Sequence, residues 1–403
     1  MTTMPPARPP QTAQRSLIGT ALRRSDIVIM AGAAVFTLGA VLAKGAGAVV
    51  PFVVSAVAVA LLAALVGRAV DHLADRLGAG AVGVLQSALG NLPELFICIF
   101  ALRSHLLDVV TSAIIGSILG NLLLVLGLSF FVGGRKHGVL RFSQPRARMI
   151  MALMILSVAA MLVPSLASYV HAAAASHEAG LSRITAVVLL VVFALSIPAS
   201  VRREEAAGRG QRREQGGRAT RQAAGSGQSA DQSADQDAAP DHAAEREEGH
   251  RWPLALAVSV LAVTGLLAAY VSDLFVSALQ PAMNAMHISE AFAGLVIVAI
   301  AGNAVENAVG VKLAWQNQAD HALSVILNSP LQIALVLAPV LVLLSPLVGG
   351  AAFTLVFNPM LVSTVGISTL AVAFLVSDGE SDWLEGATMV GLYILIAAAF
   401  WWG

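Results

Sequence analysis

The chain has 403 residues, of which 57% are hydrophobic and 12% charged, and its formal net charge is +0. A soluble domain carries about 25% charged residues, so this composition excludes a water-soluble fold and points to an integral membrane protein in a lipid bilayer. The few charges cluster outside the apolar runs, which leaves no basic surface for nucleic acid. The single cysteine, Cys98, excludes an internal disulfide and offers no thiolate cluster for a metal. It reads as a small apolar core residue.

Residues 1–25 are Pro-rich and hold Arg8, Arg15, Arg23 and Arg24, the pattern of a solvated cytoplasmic tail ending in a basic anchor. The apolar segment that follows is the first of many, so a cleavable signal peptide is not expected. About 20 apolar residues are needed to cross ~30 Å of hydrocarbon. On that measure helices are expected near 26–43, 47–69, 81–103, 108–133, 147–169 and 181–201, then near 253–274, 288–316, 320–346, 352–376 and 384–402. The expected fold is therefore an all-α polytopic membrane protein of about eleven transmembrane helices.

Between the two groups, residues 202–252 are rich in Arg, Glu, Gly, Gln, Ser and Asp, a composition of disordered linkers. The linker is basic first (Arg202, Arg203, Arg209, Arg212, Arg213) and acidic later (Asp231, Asp235, Asp237, Asp241, Glu245, Glu247, Glu248). It reads either as a solvated tether or as a weak cation or proton sensor. Lysine and arginine concentrate on the cytoplasmic side of membrane proteins. With the N-terminus inside, the inner loops hold Arg68, Arg76, Arg135, Lys136, Arg141, Arg146, Arg148 and the linker, against Lys44, Arg103 and Arg183 outside.

Two of the apolar segments carry a carboxylate. Gly90-Asn91-Leu92-Pro93-Glu94 and Gly302-Asn303-Ala304-Val305-Glu306 place glycine, asparagine and glutamate at identical spacing. The offset 306 − 94 = 212 also maps Asp108 to Asp320, Ser112 to Ser324, Ser117 to Ser329 and Leu119 to Leu331. An odd number of spans separates the copies, so the helix bearing Glu94 runs outward and that bearing Glu306 inward. The expected architecture is a pair of inverted-topology repeats: an extra first helix (26–45), a five-helix repeat (46–201), the linker, and a second five-helix repeat (253–403).

A carboxylate in the bilayer is costly and faces the bundle interior, where it marks an ion or proton path. Two carboxylates with oxygen neighbours suit a hard divalent cation such as Ca²⁺, and Glu94 and Glu306 are the expected metal ligands. Asn91 and Asn303 lie three residues before them, on the same helix face. Ser117 and Asn121, with Ser329 and Gln332, offer further oxygens on the following helices. Gly90, Pro93 and Gly302 weaken the helices and free backbone carbonyls. Asp108 and Asp320 read as N-caps. Like charges raise one another's pKa, so the pair is also a proton site: protons neutralise it when the cation leaves, and their departure lets it recapture the ion.

These residues resemble the cation/calcium exchanger superfamily, specifically its Ca²⁺:H⁺ antiporter family. The resemblance rests on Gly90-Asn91-Leu92-Pro93-Glu94-Leu95 with Gly116-Ser117-Ile118-Leu119-Gly120-Asn121, on Gly302-Asn303-Ala304-Val305-Glu306 with the run Gln332–Leu341, and on Ser377-Asp378-Gly379 with Trp383-Leu384-Glu385-Gly386. It implies that Glu94 and Glu306 bind Ca²⁺ and protons in turn while the first span of each half slides or rocks. Ca²⁺ is then the transported substrate, and no cofactor is expected. The chain departs from the family pattern at Asn307, where histidine is usual, at Asn328-Ser329-Pro330, and at Met360-Leu361 after Phe357-Asn358-Pro359. A compact Ala- and Gly-rich exchanger fits a bacterial inner membrane.

Three other readings compete. A passive cation channel would use the acidic residues to select ions without coupling, a sodium-coupled exchanger would replace protons by Na⁺, and an intramembrane hydrolase would need aspartates in hydrolytic motifs that the chain lacks. No His-Glu-x-x-His pair occurs. His72, His105, His137, His171, His177, His287 and His321 fall at expected loops or helix ends, where solvated roles are expected.

Overall fold

The computed structural model describes residues 24–74, 89–197, 252–349 and 352–402. The tail before 24, the first part of the span near 81–103 and the linker up to 251 lie outside them. The described residues are all-helical apart from one two-residue strand pair and their connections. Its first half holds α1 (Arg24–Leu42), α2 (Val49–Ala74), α3 (Leu92–Arg103), α4 (Leu107–His137), α5 (Gln144–Tyr169) and α6 (Ala173–Ile197). The second holds α7 (Leu254–Met286), α8 (Glu290–Gly302), α9 (Ala304–Trp315), α10 (Ala319–Val348), α11 (Pro359–Leu375) and α12 (Trp383–Trp401).

Eight of these helices are long and apolar enough to cross a membrane; α8 and α9 form a ninth span bent by 66°, and α11 is a shorter apolar helix. Such sequences are helical because hydrocarbon supplies no partner for an exposed peptide group, so every N–H and C=O must be satisfied within the segment. α4 is central and almost wholly buried, whereas α1 is mostly exposed. Glycines set the close crossings. A Cβ on Gly116 would overlap the carbonyl of Leu295, one on Gly294 the carbonyl of Val109, and one on Gly127 would lie 2.9 Å from the Gly386 carbonyl. α4 thus touches α8 and α12 backbone to backbone.

Several expected boundaries move. The helix expected at 352–376 starts at Pro359, because Asn358 caps it by accepting from Met360 N at 2.9 Å and proline favours a first turn. The preceding strip is extended and held by serines: Leu355 N donates to Ser182 Oγ (3.0 Å) and Phe357 N to Ser165 Oγ (2.9 Å). α7 continues to Met286 instead of ending near 274, and α6 begins at Ala173 rather than 181. Asp108 and Asp320 are not N-caps, since Leu106 and Gln318 hold those positions. Both acids sit two residues further in, and Asp320 Oδ1 accepts instead from Ser143 N at 2.6 Å.

The offset of 212 carries the helix bounds as well as the residues. α3 spans 92–103 and α9 spans 304–315, while α4 starts at 107 and α10 at 319. α4 has a π-helical segment at Gly120–Val125 and α10 one at Ile333–Leu337. Asn91 (φ −96°, ψ 18°) and Asn303 (φ −106°, ψ 20°) share one conformation at the helix starts.

The connections gather at two ends. At one, Leu140–Arg141 (β1) pairs antiparallel with Glu380–Ser381 (β2), and Arg141 meets Glu380 at 3.2 Å. At that end Lys136 Nζ donates to Trp315 O at 3.0 Å, His72 stacks on Trp252 at 4.6 Å, and Arg68 pairs with Asp26. His72 is therefore packed, not solvated. At the opposite end Ser289 N donates to Trp401 O (3.3 Å), and the Tyr169 hydroxyl donates to Phe357 O. Arg135, Lys136, Arg141, Arg146 and Arg148 fall at the first end and Arg103 at the second.

Candidate functional site

The site forms where the breaks in the helix pairs meet α4 and α10. At the first break Asn91 holds the N-cap position of α3 but its side chain does not cap the helix. Pro93 sits in the first turn, where its missing N–H costs no hydrogen bond. Glu94 follows in the same turn and is buried, 1% exposed. At the second break α8 ends at Gly302, and Asn303 again spends none of its side chain on capping. A Cβ on Gly302 would touch the Glu94 side chain at 3.4–3.6 Å. The glycine therefore gives the carboxylate its place against the other half of the chain.

A closed ring of hydrogen bonds joins the two halves. Ser117 Oγ donates to Glu94 Oε1 and accepts from Asn303 Nδ2 at 3.1 Å. Asn303 Oδ1 accepts from Ser329 Oγ at 3.1 Å, and Ser329 Oγ accepts from Asn121 Nδ2 at 3.4 Å. Asn121 Nδ2 also donates to Ser117 O at 2.9 Å, which closes the ring. Asn91 Nδ2 reaches Gln332 Oε1 at 3.5 Å beside it. Seven of the eight oxygen-bearing candidates named from the sequence thus hydrogen-bond to one another. The eighth, Glu306, stands apart: it is half-buried in the first turn of α9, without a side-chain hydrogen bond to another described residue.

Acceptors outnumber donors here. Glu94 Oε2, Asn121 Oδ1 and Asn307 Oδ1 are buried without a hydrogen-bond partner, and such a group costs about 1–3 kcal/mol when left unmade. A small cavity of about 10 Å³ lies against Ser117, Gly120, Asn121, Ala299, Asn303 and Asn307, enough for one water-sized occupant. The surplus oxygens suit a ligand that brings positive charge or protons. Among the described residues no three His, Cys, Asp or Glu side chains are grouped to hold a metal ion. The oxygens in the ring are instead one carboxylate, Glu94, with amide and hydroxyl oxygens, the kind of donor that hard cations prefer.

Two contributors escaped the sequence reading. Asp71 lies in the last turn of α2, a helix packed against α9, which carries Glu306. Ending that span at 69 placed Asp71 in a loop; a carboxylate in the last turn of a 26-residue apolar helix is the signal that finds it. Asn307 stood out only as a departure from a pattern, whereas its side chain lines the cavity.

The model for the sodium/calcium exchanger protein family matches residues 47–201 and 256–402. The chain belongs to that family. Among its relatives in the family, the chain is 33% identical to the Ca(2+)/H(+) antiporter of Synechocystis sp. over 359 residues, covering 88% of this chain and 92% of that protein. It is also 33% identical to the Ca(2+)/H(+) antiporter ChaA of Bacillus subtilis, over 87% of this chain and 91% of the relative. These relatives place it in the Ca²⁺/H⁺ antiporter branch. The solved structure of native YfkE superposes with a TM-score of 0.71 at 28% identity, covering 93% of this chain and 98% of that one. The H+/Ca2+ exchanger CAX shares the fold, with a TM-score of 0.66 at 13% identity.

Proposed function

We propose that this chain is a secondary active transporter that exchanges Ca²⁺, or a similar divalent cation, for protons across a membrane by alternating access. It is not an enzyme: its relatives are transporters by name. The observation that carries the reading is the buried Glu94 carboxylate, one oxygen free of partners, in a polar ring to which both halves contribute. In this reading Glu94 and Glu306 hold the cation, Asn91, Asn303, Ser117, Ser329, Asn121 and Gln332 supply neutral oxygens or orient those that do, and Gly90, Pro93 and Gly302 open the helix breaks.

Coupling follows from charge. Two carboxylates near one another in low dielectric cannot both stay ionised without a counter-charge. Departure of the cation therefore draws protons onto the pair, and loss of the protons restores the cation site. Alternation would come from α2 and α7, which lie antiparallel against each other, joined by the Phe52–Phe275 stack at 5.2 Å and the His72–Trp252 stack. As the first spans of the two repeats they can move together past the ring.

The architecture we infer is eleven spans, with an extra helix (26–45) before two inverted five-helix repeats (46–201 and 253–403) joined by a cytoplasmic linker (202–252). The shared offset of the helix bounds and the matching break conformations, with a π segment in each of α4 and α10, support it. Basic residues at one end support an N-terminus inside, and bacterial relatives support a bacterial inner membrane. The deciding experiment is uptake of ⁴⁵Ca into proteoliposomes under an imposed pH gradient with the membrane potential clamped. Accumulation against the Ca²⁺ gradient is expected. Equilibration without accumulation would make the protein a channel, and accumulation only under a Na⁺ gradient a sodium-coupled exchanger.

A further inference from the structure

Away from the ring, the outer end of α3 and the middle third of α7 border an open cavity of about 470 Å³. Phe100, Arg103 and Ser104 line it from one helix, Ala269, Tyr270 and Asp273 from the other. Arg103 and Asp273 face the same space as opposite charges without joining: among the described residues the ion pairs are Arg68–Asp26 and Arg141–Glu380. Two unpaired charges of opposite sign across one cavity complement a ligand that is itself a zwitterion.

The depth of the cavity indicates the kind of zwitterion. Arg103 is nine residues beyond Glu94 on α3 (103 − 94 = 9). At 1.5 Å per residue that is about 13 Å, close to the half-thickness of a ~30 Å hydrocarbon layer. Val263, Leu266 and Tyr270, spaced by three and four on α7, are 56%, 75% and 45% exposed. They form an apolar stripe facing the lipid and ending in a tyrosine at the cavity, as aromatic residues do at headgroup level. Half-buried Phe100 lines the cavity from α3, with half-buried Phe96 one helical turn before it.

We propose that this cavity binds a phospholipid with a phosphoethanolamine headgroup, its phosphate on Arg103, its ammonium on Asp273 and its acyl chains along the seam between α3 and α7. A guanidinium is suited to bidentate contact with phosphate. The primary ammonium has three N–H donors, for the Asp273 carboxylate and the Tyr270 and Ser104 hydroxyls. A choline headgroup has none, and a glycerol headgroup brings no cation to Asp273. This site is separate from the exchange ring, and only its depth rests on the reading that sets Glu94 near the middle of the bilayer.

The test is native mass spectrometry of the full chain in detergent micelles with equal amounts of phosphatidylethanolamine, phosphatidylcholine and phosphatidylglycerol. The wild type should retain the ethanolamine lipid about tenfold over the other two. Arg103→Gln and Asp273→Asn should each bring that retention down to the choline level, while Asp273→Glu keeps it. Both residues are exposed, so an unchanged melting temperature without lipid certifies the fold, and either position alone is decisive if the other variant misfolds. Equal retention of the three lipids, or ethanolamine binding unaffected in a folded variant at either position, would overturn the proposal. So would displacement by soluble glycerophosphoethanolamine at the same concentration as the lipid, because the occupant would then be a soluble zwitterion.

Discussion

His105 and Asn317 hold the same left-handed backbone, φ 58° and 61°, at positions 212 apart (317 − 105 = 212). Each closes the tight turn that follows a half-helix, α3 in one case and α9 in the other. Left-handed backbone costs an L residue with a Cβ about 1–2 kcal/mol, and asparagine or histidine tolerates it better than a branched side chain. Valine at either position should therefore lower stability by about 1–2 kcal/mol, and glycine should be tolerated at both. Thermal unfolding in detergent checks this; a loss at only one of the two positions would mean that the turns are not equivalent.

Glu94→Gln and Glu306→Gln should each abolish ΔpH-driven exchange while expression and melting temperature stay close to wild type. The amide keeps the shape of the carboxylate but neither its charge nor its proton. Transport retained in either variant would make that glutamate structural.

Apparent cation affinity should fall as pH drops, because the binding form of each carboxylate is deprotonated. With both glutamates active the logarithm of affinity approaches a slope of about two per pH unit on the acid side. Equilibrium ⁴⁵Ca binding to the purified protein measures it. A flat profile between neutral and acid pH would break the coupling mechanism.

Asp71→Asn should weaken Ca²⁺ uptake from the inner face about two- to fivefold at low ionic strength, with the difference shrinking as salt screens it. An effect independent of salt would assign Asp71 a coordinating or structural role instead of a steering one.

Gly294→Ala should cost about 1–3 kcal/mol through overpacking, since its Cβ would collide with Ser112 Oγ and the Val109 carbonyl. Gly265→Ala meets nothing within 4 Å and should leave stability unchanged or raise it by a few tenths of a kcal/mol. Unfolding of the two variants side by side checks the α4–α8 crossing.

Much of this arrangement was legible in the amino-acid order. Apolar length gave the spans, and the spacing of Asn91 and Glu94 against Asn303 and Glu306 gave the offset that the helix bounds also follow. Ser117, Asn121, Ser329 and Gln332 were visible as polar residues in apolar helices. What stayed hidden depends on packing. The π segments at 120–125 and 333–337 arise from a shift in backbone hydrogen bonding that no side-chain pattern announces. The unpaired oxygen of Asn307 is apparent only once α9 lies against α4. The late start of α11 was legible in Asn358-Pro359, a helix-start signal that a rule based on apolar length alone overrode.

The ring that joins Ser117, Asn303, Ser329 and Asn121 crosses between the halves twice, at Asn303–Ser117 and at Asn121–Ser329, since Ser117 and Asn121 precede the linker while Asn303 and Ser329 follow it. Neither half made alone could satisfy these groups, and in hydrocarbon there is no water to stand in for the missing partner. Two chains divided within the linker would thus carry matching sets of unmet donors and acceptors, an address by which separately synthesised halves recognise each other. The covalent tether sets how often the halves meet; the ring decides that they fit.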